Sequence, residues 1–315
     1  MQKLTISETA AWLLREDRFA IVTHRRPDGD TLGSAAALCM GLRQLGKTAY
    51  LLHNPEATPR YAHLQEGLSR ETVCPGDKVV TVDVAAPDLL CLGLEAEHID
   101  LRIDHHRASE SFTEAEFVDP MAAACGQLIY DILMEMGAEL TKPMANALHI
   151  AIATDTGCFR FGNTQPHTLE VAAACARVSD EISRINRNIF SVMSLKRLRL
   201  QGWIVENMQL YAEGRIAICA LPLAVEQAME LTEDDMENIS GFLRAIEGVL
   251  IGAMLRENRE GTVKVSVRCQ QEYDAGGICS RLGGGGHRGA AGATLAMPMD
   301  EAVKAVYAAM PKVEN

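Results

Sequence analysis

Residues 1–120 alternate short apolar runs with polar turns, and five of these runs have the length and β-branched content of buried strands. The strands are predicted at residues 19–23, 48–53, 78–85, 101–106 and 114–120. The N-terminal segment MQKLTISETAAWLLRED has the apolar spacing of an amphipathic helix, and Ala-rich segments between the strands predict further helices. Alternating strands and helices predict an α/β fold with a mostly parallel, doubly wound sheet.

Helical spacing of apolar residues dominates from about residue 122 to residue 211. Helices are predicted at residues 121–137, 143–157 and 166–179, with two more between 181 and 211. After residue 213 the runs GRIAICALP, GVLIGAMLREN and GTVKVSVRCQ are β-rich. We therefore predict a first domain over residues 1–190, a helical linker over 191–213 and a smaller, mixed α/β domain over 214–315.

Polar side chains follow several of the apolar runs in the first domain. The carboxyl ends of parallel strands meet at one edge of a sheet, so we expect side chains that follow different strands to converge there. The candidates are His24, Asp28, Asp30, Asp83, Asp104, His105, His106 and, after an apolar helix, Asp155. Imidazole and carboxylate together suit divalent transition metals. Solvated turns and ordinary strand caps are the alternative interpretation of each segment taken alone.

The densest glycine run of the chain, GGGGHRGAAG at residues 283–292, lies in the predicted second domain. Glycine lets backbone N–H groups approach a ligand closely, and with a following helix start such a run suits an anion such as phosphate. It is not the nucleotide-binding pattern G-x-x-x-x-G-K-[ST], because no Lys-Ser/Thr pair follows. A flexible loop without a ligand is the alternative.

The composition narrows the class of protein. The chain has 315 residues, 48% of them hydrophobic, and a formal net charge of −12. This charge argues against a long nucleic-acid track, which needs many Lys and Arg contacts, but it allows a small phosphorylated substrate. No apolar run is long enough to cross a bilayer, and the N-terminus lacks a secretory signal pattern. The 9 cysteines form no C-x-x-C pair and are expected to be buried, so we expect a cytoplasmic protein that binds no membrane.

Five motifs occur in an order that is specific to one family. They are HRRPDGDTLGS (24–34), Asp83, DHH (104–106), TDTGCFRF (154–161) and GGGHRGAAG (284–292). With these motifs the chain resembles, over nearly its whole length, the DHH phosphoesterase superfamily with its DHHA1 domain. Within that superfamily it is similar to the stand-alone oligoribonuclease (nanoRNase) and pAp phosphatase branch, where pAp is 3′-phosphoadenosine 5′-phosphate.

The resemblance implies a site for two Mn²⁺ ions, or for other divalent cations, with Asp83 bridging the pair. The ligands of one ion would be His24, Asp28 and Asp83. The ligands of the other would be Asp30, Asp83, His105 and Asp155. The catalytic group would be completed by His106, which would face the scissile phosphate, and by Asp104, which would orient His105.

The resemblance also implies that the DHHA1 domain binds the substrate. The residues concerned would be Arg268, His287, Arg288, Gly285 and Gly286. Behind the DHH triplet, Ala108-Ser109 stands where many relatives have Ser-Asn, which leaves the preferred length of an oligonucleotide open. A homodimer is one assembly that the sequence also leaves open.

The implied reaction is Mn²⁺-dependent hydrolysis of short oligoribonucleotides to 5′-mononucleotides, and of pAp to AMP and phosphate, by two-metal activation of water. A phosphodiesterase that acts mainly on pApA or cyclic di-AMP is the alternative enzyme. A nucleotide-binding sensor is disfavoured because the metal ligands are intact. An inorganic pyrophosphatase is disfavoured by the GGGHR run of the second domain.

Overall fold

Two sheets, each with its own buried apolar core, divide the chain into the units Met1–Val192 and Met193–Asn315, here called unit 1 and unit 2. The computed structural model describes residues 2–91, 94–106, 111–236, 239–270 and 272–313. Ala108 and Ser109, where the sequence departs from many relatives, lie outside the described residues.

Unit 1 is built on a seven-stranded sheet in which every neighbouring pair of strands is parallel. The strands are β1 (Gln2–Lys3), β2 (Phe19–Val22), β3 (Ala49–Leu52), β4 (Ser69–Arg70), β5 (Lys78–Val82), β6 (Leu101–Asp104) and β7 (Ala115–Val118). Their order in the sheet is β1-β7-β6-β5-β2-β3-β4. The predicted fold class and the five predicted strands are confirmed. The edge strands β1 and β4, of 2 residues each, are too short to produce a period in the sequence.

Helices cover the sheet of unit 1. They are α1 (Ile6–Arg15), α2 (Gly29–Gln44), α3 (Cys125–Glu135), α4 (Lys142–Asp155), α5 (Pro166–Val178) and α6 (Ile182–Asn186), with one π turn at Arg187–Ser191. In the connections between the strands from β3 to β7, the helical segments of the described residues are short 3-10 turns, at Ala62–Gln65, Pro87–Leu89 and Ala96–His98. The predicted helices in these connections were therefore wrong. Pro55, Pro59, Pro75 and Pro87 fall in these segments, and proline interrupts a helix interior.

Close packing of α2 on α4 fixes the two helices that carry site residues. A Cβ atom at Gly33 would lie 2.4 Å from the carbonyl oxygen of Ala147, and one at Gly29 would lie 2.5 Å from Cγ2 of Thr154. Glycine at both positions lets the helix backbones approach closely. The start of α2 is consequently held against the end of α4.

Unit 2 contains a six-stranded mixed sheet in the order β12-β13-β11-β10-β9-β8. The strands are β8 (Gln209–Tyr211), β9 (Ile216–Leu221), β10 (Ile251–Glu257), β11 (Val263–Cys269), β12 (Gly285–Gly286) and β13 (Ala290–Leu295). Only β9 and β10 pair in parallel. The helices are α7 (Leu195–Asn207), α8 (Leu223–Ala228), α9 (Glu233–Met236), α10 (Ser240–Arg244), α11 (Ala275–Ser280) and α12 (Met299–Ala308).

The segment 191–213, predicted as a helical linker, belongs mostly to the packed part of unit 2. Leu200 and Ile204 of α7 are 0% exposed and pack with the core residues Ala217 and Cys219. The helix of this predicted linker ends at Asn207, because residues 209–211 pair with β9 as strand β8. Across the described residues, no helix has the length and apolar character that crossing a membrane requires.

Candidate metal centre

Three strands and two helices of unit 1 bring polar side chains to the carboxyl edge of its sheet. The side chains at the ends of β2, β5 and β6 are His24, Asp83, Asp104, His105 and His106. The helix ends add Asp28, Asp30 and Asp155. Among the described residues, donor atoms within 4.8 Å of one another form the groups His24-Asp28-Asp83, Asp30-His105-Asp155 and Asp83-His105-His106.

His24 and Asp28 form one pair of donors. Nδ1 of His24 lies 2.8 Å from the carbonyl oxygen of Arg25, and since a carbonyl only accepts hydrogen bonds, Nδ1 carries a proton. Nε2 of His24 then faces carboxylate oxygens of Asp28 at 3.8 Å and Asp83 at 3.9 Å. Burial acts to lower the pKa of His24, but Asp28 and Asp83 outweigh it and raise this pKa to about 9. Asp28 also caps α2 by accepting from two backbone N–H groups, at 3.0 and 3.2 Å.

Asp30 is fully buried and held from two sides. Its Oδ1 accepts hydrogen bonds from Oγ of Ser34 at 3.0 Å and from the N–H of Gly126 at 2.9 Å. Its Oδ2 accepts from the N–H of Cys125 at 2.7 Å. Burial, together with the charge of Asp83, raises the pKa of Asp30 to about 7. The start of α3 therefore fixes the position of this carboxylate.

Asp83 lies at the centre of the site, in a left-handed backbone conformation with φ of +61°. Its N–H donates to the carbonyl oxygen of Ile103 at 2.9 Å, so pairing with β6 continues up to this residue. Oδ2 faces Nε2 of His24, whereas Oδ1 lies 3.4 Å from Nε2 of His105 and 3.6 Å from Nδ1 of His106. Oδ1 is buried and accepts no hydrogen bond from the described residues. A buried carboxylate oxygen without a donor needs a compensating positive charge.

His105 and Asp155 complete a second group of donors with Asp30. Nδ1 of His105 lies 3.2 Å from the carbonyl oxygen of Ala122, so Nε2 is the atom directed into the site. Nε2 lies 3.3 Å from Asp155, 3.4 Å from Asp83 and 3.6 Å from Asp30. Burial lowers the pKa of His105, but these carboxylates outweigh it and raise the pKa to about 10. Burial and the charge of Asp30 raise the pKa of Asp155 well above its usual value.

Asp104 contacts His106 and not His105, which differs from the role that the resemblance implied. Its Oδ1 accepts from Nδ1 of His106 at 2.7 Å, whereas the ring of His105 is bonded to Ala122. In extended backbone, residues two apart place their side chains on the same face, which brings 104 and 106 together. Oδ2 of Asp104 accepts from the guanidinium of Arg102. Despite burial, His106 and Arg102 hold the pKa of Asp104 at about 2.

The donor set fits divalent cations. Ligand atoms about 2.1 Å from a shared ion lie roughly 3–4 Å from each other. The imidazole Nε2 atoms lie 3.3 to 3.9 Å from the carboxylate oxygens, which is within that range. Burial, and after it the charges of neighbouring carboxylates, raises the pKa values of Asp30, Asp83 and Asp155. Bound cations would remove this repulsion and would satisfy the orphaned oxygen of Asp83.

Known protein families match both units. The family described as "DHH family, N-terminal domain" matches residues 18–152, and the "DHHA1 domain" matches residues 220–312. The bifunctional oligoribonuclease and PAP phosphatase NrnA of Thermus thermophilus is 34% identical over 293 residues, which cover 92% of this chain and 88% of the relative. The chain belongs to the DHH/DHHA1 phosphoesterase family. It falls in the branch of the bifunctional oligoribonucleases and PAP phosphatases, and it is a hydrolase.

Further similarities agree with this DHH/DHHA1 assignment. The relative of the same name from Bacillus subtilis is 24% identical over 294 residues, or 89% of this chain and 90% of that protein. The crystal structure of an exopolyphosphatase-related protein from Bacteroides fragilis has a TM-score of 0.84 with 24% identity. That likeness covers 96% of this chain and 94% of the solved one, and it shows a shared fold. DHH phosphoesterases depend on metal ions, in agreement with the donor set.

The DHHA1 residues predicted to bind substrate lie around one end of β11 and β13. Arg268 is half-buried near the end of β11, and its register partner on β13 is Ala290. Gly285 and Gly286 form the short strand β12, and the exposed His287 and Arg288 lie in the turn to β13. A strand and not a helix therefore follows the glycine run, in contrast to the expectation, because residues 290–295 pair with β11.

Arg102 is the main residue near the DHH centre that sequence reasoning missed. This arginine is 0% exposed, and its Nε donates to the carbonyl oxygen of Val84 at 2.9 Å. Nη2 lies 3.4 Å from the carbonyl oxygen of Ala85 and also bonds Asp104, while Nη1 lies 3.5 Å from Glu116. Arg102 thus ties the turn after Asp83 to the start of the DHH triplet. An arginine inside an apolar strand, two positions before that triplet, is the signal that would have identified it.

Proposed function

We propose that this chain hydrolyses short oligoribonucleotides to 5′-mononucleotides and pAp to AMP and phosphate, using two divalent cations. The observation that carries the proposal is Asp83, whose two oxygens face two different groups of donors. The names of the relatives from Thermus thermophilus and Bacillus subtilis support the two substrate classes. The compact donor set in unit 1 supports hydrolysis of phosphate esters.

The proposed cations are Mn²⁺, with other divalent ions as alternatives. The residues that would hold the first are His24, Asp28 and Asp83. The residues that would hold the second are Asp30, Asp83, His105 and Asp155. Oxygen and imidazole donors without thiolate support Mn²⁺ over a sulfur-rich zinc site. When bound, these ions supply Lewis acidity toward the phosphate ester and the attacking water.

His106 is the proposed contact of this chain with the scissile phosphate. Nδ1 of His106 donates to Asp104, so Nε2 is left to face the substrate, and 35% of the side chain is exposed. Burial acts to lower the pKa of His106, but Asp104 and Asp83 outweigh it and raise this pKa. A protonated imidazole donates a hydrogen bond to a non-bridging phosphate oxygen, where negative charge grows during hydrolysis.

Arg268, His287 and Arg288 of unit 2 are the proposed side-chain contacts for substrate phosphate, with the backbone of Gly285-Gly286 close by. The exposure of the glycines and of His287 and Arg288 supports access by a ligand. All 9 cysteines are free, which supports the cytoplasm or another reducing compartment as the site of action.

A phosphodiesterase acting mainly on pApA or cyclic di-AMP is the second candidate. The cyclic-di-AMP phosphodiesterase GdpP of Geobacillus thermodenitrificans is 25% identical over 316 aligned residues. The similarity covers 92% of this chain but only 46% of that protein. The match to NrnA relatives covers nearly all of both chains, which favours the first candidate.

A panel of substrates with Mn²⁺ tests the proposal. We expect turnover of pAp and of RNA dimers to pentamers, with inorganic phosphate released from pAp and 5′-mononucleotides from RNA. Cyclic di-AMP and pyrophosphate are the comparison substrates. Turnover of cyclic di-AMP in large excess over pAp and RNA would favour the second candidate, and turnover of pyrophosphate alone would contradict both.

A further inference from the structure

Two arginines of unit 2 lie on the same face of its sheet. Arg268 on β11 is the register partner of Gly252 on β10, so positions 252 and 268 share a face. A Cβ atom at Gly252 would lie 2.9 Å from Cβ of Leu243 and 3.4 Å from the backbone nitrogen of Arg244. The missing side chain at Gly252 therefore lets the end of α10 pack directly on the sheet. This packing places Arg244 beside Arg268.

The hydrogen bonds of the two guanidinium groups keep them at the same end of β11. Nη1 of Arg244 donates to the carbonyl oxygen of Cys269 at 3.3 Å, one residue from Arg268. Nη1 of Arg268 donates to the carbonyl oxygen of Val267 at 3.1 Å. Both side chains are half-buried, and neither forms an ion pair with a carboxylate of the described residues. Most of their N–H donors are thus left for another acceptor.

Other arginines of unit 2 use their N–H donors within the protein. Arg256, on the neighbouring strand β10, forms ion pairs with Glu226 at 2.7 Å and Glu233 at 2.9 Å. Arg281 donates twice to the carbonyl oxygen of Ala309. Two adjacent cations without an acid repel each other, and burial together with the charge of Arg244 lowers the pKa of Arg268. An anion between them would remove that repulsion.

A cavity of about 410 Å³ is lined by Arg244, though not by Arg268, and gives room for the rest of a ligand. Its lining includes Arg244, Ile246, Leu250, Gln270 and two acids, Glu247 and Glu272. The apolar and amide side chains offer surface for a nucleoside, the two acids can accept hydrogen bonds from its hydroxyl or amino groups, and Arg244 is the cation of the lining.

We propose that Arg244 and Arg268 together bind one phosphate group of the nucleotide substrate, which makes Arg244 a binding residue that neither the motifs nor the resemblance indicates. This inference rests on the proposed function for the identity of the nucleotide. Guanidinium groups match a phosphate with paired N–H donors, and two of them can neutralise its charge.

Equilibrium binding of pAp to the full chain, with divalent ions removed by a chelator so that no hydrolysis occurs, tests the site. Arg244→Gln should weaken binding by roughly 10-fold or more, the usual loss for a hydrogen bond to a charged group. Arg244→Lys keeps the charge and should lose less. Arg259→Gln is the matched control, because Arg259 is exposed in the turn between β10 and β11. Adenosine, which has no phosphate, should bind the wild type and Arg244→Gln equally weakly.

The possible outcomes distinguish failure of the proposed phosphate site from failure of the proposed function. Unchanged pAp binding by Arg244→Gln, or an equal loss in Arg259→Gln, would overturn the site. A loss that is the same for adenosine and pAp would also overturn it, because the contact would then not be to phosphate. A thermal unfolding midpoint equal to that of the wild type excludes misfolding as the cause. Weaker pAp binding by Arg244→Gln without any turnover of pAp or RNA by the wild type would uphold the site and refute the proposed function.

Discussion

The backbone conformation of Asp83 determines where its carboxylate lies in the site. Its positive φ of +61° is unusual for a residue with a side chain and costs on the order of 1 kcal/mol. Aspartate tolerates this conformation better than most residues, since its short polar side chain can interact locally. The turn directs both carboxylate oxygens away from the sheet and toward three imidazoles. Strain of this kind persists where the surrounding structure fixes the residue, here through the bond to Ile103.

Arg102→Gln should lower the free energy of unfolding by about 3–5 kcal/mol, because it removes the buried cation that faces the carboxylates of Asp104 and Glu116. Urea unfolding measures the change. Arg15→Gln is the control. Its ion pair with Glu16 joins side chains that are 65% and 28% exposed, so a loss below about 1 kcal/mol is expected. A loss from Arg102→Gln as small as the control would contradict the assigned role.

The same variant tests whether Arg102 positions His106 through Asp104. We expect a lower kcat with little change in KM, since the substrate contacts remain. In a His106→Ala background, Arg102→Gln should have almost no further effect on kcat, because the group it positions is gone. An equal loss of kcat in both backgrounds would show that Arg102 acts by another route.

Metal affinity should rise with pH between about pH 6 and pH 8. In the metal-free protein the pKa values of His24, His105 and Asp30 are raised to about 9, about 10 and about 7. At neutral pH the two histidines therefore hold protons that a cation must displace, and Asp30 is about half protonated. The protonated forms of these side chains dominate at low pH, so a lower pH weakens metal binding. Calorimetry of Mn²⁺ binding in buffers of different ionisation heat should show release of about two to three protons at neutral pH. A dissociation constant independent of pH would contradict this electrostatic account.

At the scale of elements, the site depends on α2 and α4 packing closely enough to bring Asp30 and Asp155 together. The motif spacing identified both aspartates but not this contact, because Gly33 and Ala147 reveal their proximity only once the helices are placed. Strands β2, β5 and β6 were predictable because their buried apolar runs are long enough to give a pattern. The short turns between β3 and β7 were not predicted, because the Ala-rich composition indicated helices there. The prolines in these segments interrupt a helix.

Gly33→Ala should destabilise unit 1 by about 1–3 kcal/mol and reduce activity, because its Cβ would meet the carbonyl oxygen of Ala147 at 2.4 Å and push α2 from α4. Gly202→Ala is the matched control within a helix. No atom lies within 4 Å of a Cβ at Gly202, so alanine there should be neutral or stabilise by up to about 1 kcal/mol. Equal effects of the two substitutions on the unfolding midpoint would contradict the packing argument.

At the scale of the whole molecule, the charge of −12 and the small donor set agree with a substrate of few phosphates. The sequence alone was enough to predict the α/β class and the histidines and aspartates that the structure brings together at the edge of the sheet of unit 1. It could not give the partner of Asp104, because that depends on the directions that the side chains of His105 and His106 take after the end of β6.

The affinity for RNA should therefore depend only weakly on the length of the oligonucleotide and on the salt concentration. Affinity should stop rising beyond about five nucleotides, and the slope of log K against log salt should correspond to two or three phosphates, roughly −1 to −2. Binding titrations with oligomers of 2 to 20 nucleotides measure both quantities. Affinity that keeps rising to 20 nucleotides, with a slope steeper than about −5, would indicate a long basic track.

The most direct test of the account is turnover of pAp and of short RNA by Asp83→Asn with Mn²⁺. Asparagine also tolerates a positive φ, so the change removes mainly the negative charge of the Asp83 carboxylate, which the two groups of donors share. Asp88→Asn, at an exposed nearby position, is the control. We expect both activities of Asp83→Asn to fall together by more than about 100-fold, with the control unaffected. Retention of either activity near the wild-type rate would contradict a single centre that is bridged by Asp83.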